Sequence, residues 1–225
     1  MTAYVFDIEA NGLQPTEIFC LVAMDTETGK TYEYGPDKIE EGIKLLQKAN
    51  KLIGHNILGY DIPVIKNLTG VDLDDGSINI VDTLVLSRLF NPTREGGHGL
   101  EGWGYRLRHR KIEYDNFEYY TPEMLTYCKQ DVSLNYKVYR HLSRTESVGF
   151  GPQCIKLEHG VYRILNAQRD RGFKLNQQHA MSLLAELNEK ICANLKADNV
   201  DLKEFSEEQQ KQIILTYAAM IRIDN

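Results

Sequence analysis

The chain has 225 residues, enough for one medium-sized domain or for one domain with a helical appendage. Hydrophobic residues make up 42% and charged residues 26%, as in an ordinary soluble globular protein, and no run approaches the length of a membrane span. A net charge of −6 argues against a general electrostatic nucleic-acid binder, but not against an enzyme that meets phosphates through metal ions held by acidic ligands.

The first ten residues, MTAYVFDIEA, lack a basic stretch followed by an apolar one, so they read as a strand over 3–9 rather than a secretory signal. Residues 18–25 form a second apolar run, 26–29 a turn with Gly29 suited to positive φ, and 30–34 a third strand. Together they predict an antiparallel meander. A helix is expected over 38–49, a short strand over 51–54, a helix from Asp61 to Leu68, a strand over 78–81 and a helix over 83–90. This order predicts an α/β fold with a mixed sheet. A Gly-rich loop over 91–99 precedes a short helix near 99–107. Thr121, Pro122 and Glu123 then mark the start of a helix running to about Leu142. Residues 143–153 have a linker's composition. Beyond them a helix ends at Gly172, Asn176 caps another through about Leu195, and 206–222 form a further one. The cysteines Cys20, Cys128, Cys154 and Cys192 form no close pair and are expected as free, mostly buried thiols in a reducing cytosol.

Three acidic features carry chemistry. Asp7 and Glu9 lie two apart on the first strand, so both carboxylates point to one face. If the strand is buried, a divalent cation compensates them; if the strand simply ends there, both are solvated. Asp61 follows His55-Asn56-Ile57-Leu58-Gly59-Tyr60 at a strand-to-helix junction, where open α/β sheets place ligands, though alone it reads as a helix N-cap. Tyr127 and Asp131, four apart, share a helix face beside the apolar stripe of Cys128 and Val132, or else form an exposed boundary pair. Their order along the chain tips the balance: four carboxylates are what a pair of hard divalent ions needs. One basic run, Arg106, Arg108, His109, Arg110 and Lys111, reads equally as a solvated loop face or as a nucleic-acid backbone contact.

Phe6-Asp7-Ile8-Glu9, His55-Asn56 through Asp61, and Tyr127-x-x-x-Asp131 resemble the three exonuclease motifs of the DEDDy group. Asp7 through Asn11, Asp82 through Leu89 and His98 through Leu107 are similar to the 3′→5′ proofreading exonuclease domain of short-tailed-phage family A DNA polymerases, over about residues 3–142. Glu158-His159 and Asp170 through Phe173 resemble the segment where those enzymes enter their polymerase domain; no palm or fingers motif follows. The resemblance implies an RNase H-like mixed five-stranded sheet flanked by helices, then a C-terminal helical segment. It divides the chain into an exonuclease domain, 1–145, and a helical extension, 151–225. It further implies hydrolysis of DNA from the 3′ end to nucleoside 5′-monophosphates, assisted by two Mg²⁺ or Mn²⁺ ions. Asp7, Glu9 and Asp131 are then the ligands of the tighter ion, and Asp7 bridges to a second ion that Asp61 holds largely through water. Tyr127 and Glu9 orient the attacking water, and Asn56, with His55, lies at the terminal nucleotide. The implied partner is a single-stranded or frayed DNA 3′ end, with a separate polymerase chain as a further partner and no membrane. The implied setting is proofreading in a phage-infected bacterial cytoplasm. RNA as substrate, or a non-catalytic docking subunit of a polymerase, are the alternatives. Leu13, Phe90, Tyr105 and Tyr120 are candidates for stacking on a single strand.

Overall fold

A computed structural model describes residues 2–223, with side chains described through Thr216; the last two residues of the expected extension, 224 and 225, lie outside the described part. Strands β1 (Ala3–Ala10), β2 (Ile18–Asp25), β3 (Thr31–Tyr34), β4 (Lys51–Gly54) and β5 (Asn79–Asp82) form one mixed sheet in the order β3-β2-β1-β4-β5. The β1–β2 and β2–β3 pairs are antiparallel, and β1–β4 and β4–β5 are parallel. The meander closes because the Asp25 carboxylate accepts the amides of Glu27 at 2.8 Å and Thr28 at 2.9 Å, a side-chain turn that needs no external support.

Helices α1 (Ile39–Gln47) and α2 (Asp61–Thr69) cover one face of the sheet. Ile43, Leu46, Ile62 and Ile65 pack there against Tyr4, Phe6 and Ile8 of β1. Helix α3 (Thr83–Phe90) follows β5, and α4 (Leu100–Arg106) leads through a loop to α5 (Pro122–His141). The other face receives α5, whose Met124, Cys128 and Val132 bury against Val5, Val22 and Ile53. A third cluster, centred on the fully buried Trp103, joins Leu86 to Leu134, Val138 and Leu142. The α5 N-terminus is built as its sequence predicts: the Thr121 hydroxyl accepts the Met124 amide at 3.2 Å, and Pro122 sits in the first turn.

The expected linker over 143–153 is instead anchored structure. A π-helical turn, Leu142–Glu146, extends α5, and Glu146 is ion-paired to the nearly buried Arg94 and bonded to His141 at 3.0 Å. Helix α6 (Pro152–Arg171) then packs on the sheet side of the molecule through His159 and Tyr162. The chain accordingly divides into compact units at Met1–Asp170 and Arg171–Asn225, later than the composition of 143–153 suggests. Gly172, at φ +69°, follows the last residue of α6. The second unit contains α7 (Gln177–Ala197), capped by the Asn176 side chain, and α8 (Glu207–Ile223), with Ile191 and Leu195 buried. The cysteines divide evenly rather than being mostly buried: Cys20 and Cys128 are buried, whereas Cys154 and Cys192 lie on exposed helix faces. No described helix is long and apolar enough to cross a membrane.

Asp82, at the end of β5, ties the parallel half of the sheet to the loop before α2. It is fully buried; Oδ1 accepts the amides of Asn56 and Leu84, each at 2.9 Å, and Oδ2 accepts that of Leu58 at 3.0 Å. Asp82→Asn turns one acceptor into a donor facing a buried N–H, at a cost of about 2 kcal/mol. The expected result in a thermal melt is a Tm lowered by roughly 4–8 °C for a chain of this size; an unchanged Tm contradicts the anchoring role.

Candidate active site

Strand alternation puts Val5, Asp7 and Glu9 on the face of β1 that receives α5. Asp7 and Glu9 therefore meet Asp131, which projects from α5 one turn after Tyr127. Asp61 arrives from the opposite side, as the first residue of α2. It is not the cap of that helix: Tyr60 occupies the cap position, and Asp61 Oδ1 instead accepts the Ile8 amide of β1 at 3.1 Å. Asp61 is 3% exposed and Asp131 4%, so neither is a solvated boundary acid; Asp7 is half-buried and Glu9 buried.

Burial raises all four carboxyls, and Asp7 and Glu9 also feel the neighbouring acids. Burial holds the Asp7 carboxyl well above its ordinary range, reinforced by the negative charges of Asp61, Glu9 and Asp131. Burial, then Asp131 and Asp61, raise Glu9 to about 8. Burial raises Asp61 to about 7, against the opposing hydrogen bond from Ile8. Asp131 is raised by burial and pulled back by Lys111. Lys111, on the loop before α5, is the ammonium that faces this cluster: its Nζ lies 2.5 Å from Asp131 Oδ2 and 2.7 Å from the Tyr127 hydroxyl. Burial opposes its charge, but Asp131 and Tyr127 more than offset this and keep it firmly protonated. Burial also raises Tyr127, so its phenol keeps its proton near neutral pH.

The donor set fits a divalent cation. Asp131 Oδ1 is buried with no hydrogen-bond partner, and carboxylate oxygens of Asp7 and Glu9 come within 4.8 Å of each other. Oxygen donors of this kind suit hard ions such as Mg²⁺ or Mn²⁺. Cys128 Sγ lies in the same group, but burial lifts its pKa well above the ordinary thiol range. It remains a neutral thiol whose S–H points to the Asp7 carbonyl and carboxylate, at 3.5 and 3.6 Å, and is a neighbour rather than a ligand.

The remaining sequence candidates are placed less centrally. His55 is largely enclosed; its Nδ1 lies 2.9 Å from the Thr83 hydroxyl, and burial lowers its pKa to about 3, leaving the ring neutral. Asn56 turns the chain at φ +66°, gives its amide to Asp82 and accepts the Tyr162 hydroxyl at 2.6 Å. Leu13 and Tyr105 are exposed, whereas Phe90 stacks on Phe150 and Tyr120 packs on the second core. The basic run is not one surface. Arg106 bonds the carbonyls of Glu95 and Gly97, His109 meets Lys137, and only Lys111 enters the site. Lys111 also borders a cavity of about 740 Å³, shared with Tyr105, Arg110, Tyr114 and Tyr127. In the sequence Lys111 is one of five neighbouring bases, and a loop offers no periodicity to show which side chain turns inward.

The raised carboxyl pKa values set a pH dependence. A carboxyl whose folded pKa exceeds its unfolded one stabilises the fold at low pH and loses that contribution as pH rises through the folded value. With Glu9 near 8 and Asp61 near 7, the Tm of metal-free protein should fall between about pH 5 and 8. Mg²⁺ should restore it, by an increment growing over the same window, because ligation requires the deprotonated acids. Melts across this range, with EDTA or Mg²⁺, check this; a pH-independent Mg²⁺ increment contradicts it.

No family model matches the sequence. The chain is 28% identical to the DNA-directed DNA polymerase of Enterobacteria phage T3 and 27% identical to that of Escherichia phage T7, in each case over 81% of this chain and 35% of the relative. It thus spans about a third of the length of the curated relatives it matches. Among solved structures, Brucella melitensis NrnC bound to pGG aligns with a TM-score of 0.55 at 19% identity, covering 73% of this chain and 81% of that one. The family B DNA polymerase of the archaeon Pyrobaculum calidifontis aligns with a TM-score of 0.50 at 15% identity, covering 63% of this chain and 24% of that one. The resemblance to phage DNA polymerases that the motifs suggested is therefore borne out in sequence, and the fold is the expected RNase H-like α/β sheet.

Proposed function

We propose that the chain is a divalent-metal-dependent 3′→5′ exonuclease that shortens DNA from its 3′ end, releasing nucleoside 5′-monophosphates. The observation that carries this reading is the convergence of Asp7, Glu9, Asp61 and Asp131, buried beside Tyr127 with one Asp131 oxygen lacking any partner. It is supported by the polymerase relatives and by the same fold in NrnC, solved with bound Mg²⁺. In this reading Asp7, Glu9 and Asp131 hold one cation, and Asp7 with Asp61 a second. Bound divalent cations supply positive charge against the phosphate and lower the cost of ionising water.

The side chains divide the remaining work. Tyr127 accepts from Lys111, and its phenol proton, which faces Asp131, is the one that would donate to an oxygen of the reacting phosphate or water. With its pKa raised, Tyr127 orients by hydrogen bonding and does not serve as a base. Glu9 aligns the attacking water as an acceptor. Lys111 adds a fixed positive charge where the scissile phosphate brings a negative one. Asn56, its carbonyl end taken by Tyr162, offers its amide to the terminal nucleotide, with His55 beside it as a neutral ring. Residues 1–145 carry the nuclease motifs of a first compact unit that continues through α6 to Asp170, and 151–225 resemble the entry into a polymerase domain. In this reading the setting is proofreading during DNA synthesis.

A 5′-labelled single-stranded DNA oligonucleotide, incubated with Mg²⁺ or EDTA, tests the activity. A metal-dependent ladder shortening from the 3′ end is expected, abolished in Asp7→Ala and slowed in Tyr127→Phe by about 10²-fold, the order of a lost positioning contact. Full activity in Asp7→Ala overturns the site assignment, and no ladder from folded protein overturns the enzymatic reading. A matched RNA oligonucleotide decides between the two nucleic acids, because only RNA presents a 2′-hydroxyl.

A further inference from the structure

Helix α6 lies beyond residues 3–142, yet its side chains reach the loop that delivers Asp61. The Tyr162 hydroxyl donates to Asn56 Oδ1 at 2.6 Å, Asn166 Nδ2 donates to the Leu58 carbonyl at 3.1 Å, and Arg169 approaches the Gly59 carbonyl at 3.5 Å. One turn before Tyr162, His159 Nε2 accepts the Asp82 amide at 2.8 Å. The Asp82 carboxylate in turn holds the amides of Asn56 and Leu58. The loop is thus tied through its amides to β5 and through its carbonyls and the Asn56 side chain to α6.

The fit is close. A Cβ on Gly59 would lie 2.4 Å from Asn56 Oδ1 and 3.0 Å from the Tyr162 hydroxyl, so Tyr162 and Asn56 are seated directly against the loop backbone. Two residues further on, Asp61 enters the carboxylate cluster. Like charges there push Asp61 away from Asp7 and Glu9, so something must oppose its outward relaxation. The Ile8 amide does so on the sheet side. The contacts of α6 do so from behind.

We infer that α6 is a positioning strap for the candidate active site: Tyr162 and Asn166 fix the Asn56–Gly59 loop, and through it the carboxylate of Asp61. The inference rests on the reading of Asp61 as a site carboxylate. Neither strap residue acts on substrate; both act through the loop. Residues that hold metal ligands in place affect metal affinity about 10- to 100-fold when lost.

The test uses the full chain and the double variant Tyr162→Phe/Asn166→Ala. The phenylalanine keeps the ring that packs on the first core and removes only the hydroxyl. Ile43→Val, a small core truncation under α1, serves as a stability-matched comparison. Expected in the strap variant are faster hydrogen exchange at amides 56–61, a Mn²⁺ half-saturation raised about 10-fold by calorimetry, and a lower kcat for a labelled oligonucleotide. Ile43→Val should lower Tm without any of these changes. A strap variant that loses Tm but keeps native loop exchange and native Mn²⁺ affinity shows that α6 is merely structural, and overturns the inference. If the wild type binds Mn²⁺ but cleaves no nucleic acid, the nuclease reading fails, and loop exchange with Mn²⁺ affinity still decides the strap.

Discussion

Four carboxyl groups are buried together, each with its proton affinity raised by burial and those of Asp7 and Glu9 raised further by their neighbours' charges, with the ammonium of Lys111 facing them. Such an arrangement opposes folding unless a stronger cation relieves it. The rest of the molecule works to hold the acids in place despite that opposition. The β1 strand is paired with β4 through Val5 and with β2 along Asp7 and Glu9, which fixes its alternation and keeps both acids on the α5 face. The α5 helix is buried through Met124, Cys128 and Val132 on the same side as Asp131, which forces that carboxylate inward. Asp61 is held by a backbone amide of the strand that carries Asp7 and Glu9.

Lys111 gives the metal-free protein a partial solution. Its ammonium takes one oxygen of Asp131 and leaves the other without a partner. That oxygen is the one a bound cation would engage in the proposed site. The pairing of Lys111 with Tyr127 further ties the phenol to the charge state of the cluster.

The strands and helices were legible because their patterns are periodic. The period of two in residues 3–9 and the cap at Thr121 placed Asp7, Glu9, Tyr127 and Asp131 correctly on their elements. What remained hidden was carried by segments without a period. Lys111 sits in a loop, and its direction depends on where α5 packs. Glu146 lies in a stretch that looks like a linker, yet pairs with Arg94, which is far away in sequence. Tyr162 and Asn166 look like ordinary helix-surface residues until α6 is placed against residues 56–59. The motif order marks Asp61 as a site carboxylate, but its acceptor bond from Ile8 is a long-range contact that position in the chain does not reveal.

The most direct test is the anomalous difference density of crystals grown with Mn²⁺. A cation site of the proposed kind predicts Mn²⁺ peaks bounded by Asp7, Glu9, Asp61 and Asp131, with Asp131 Oδ1 engaged and Cys128 uninvolved. Crystals equilibrated with Mn²⁺ at pH 8 that show no peak among these acids, and still show Lys111 paired with Asp131, contradict it.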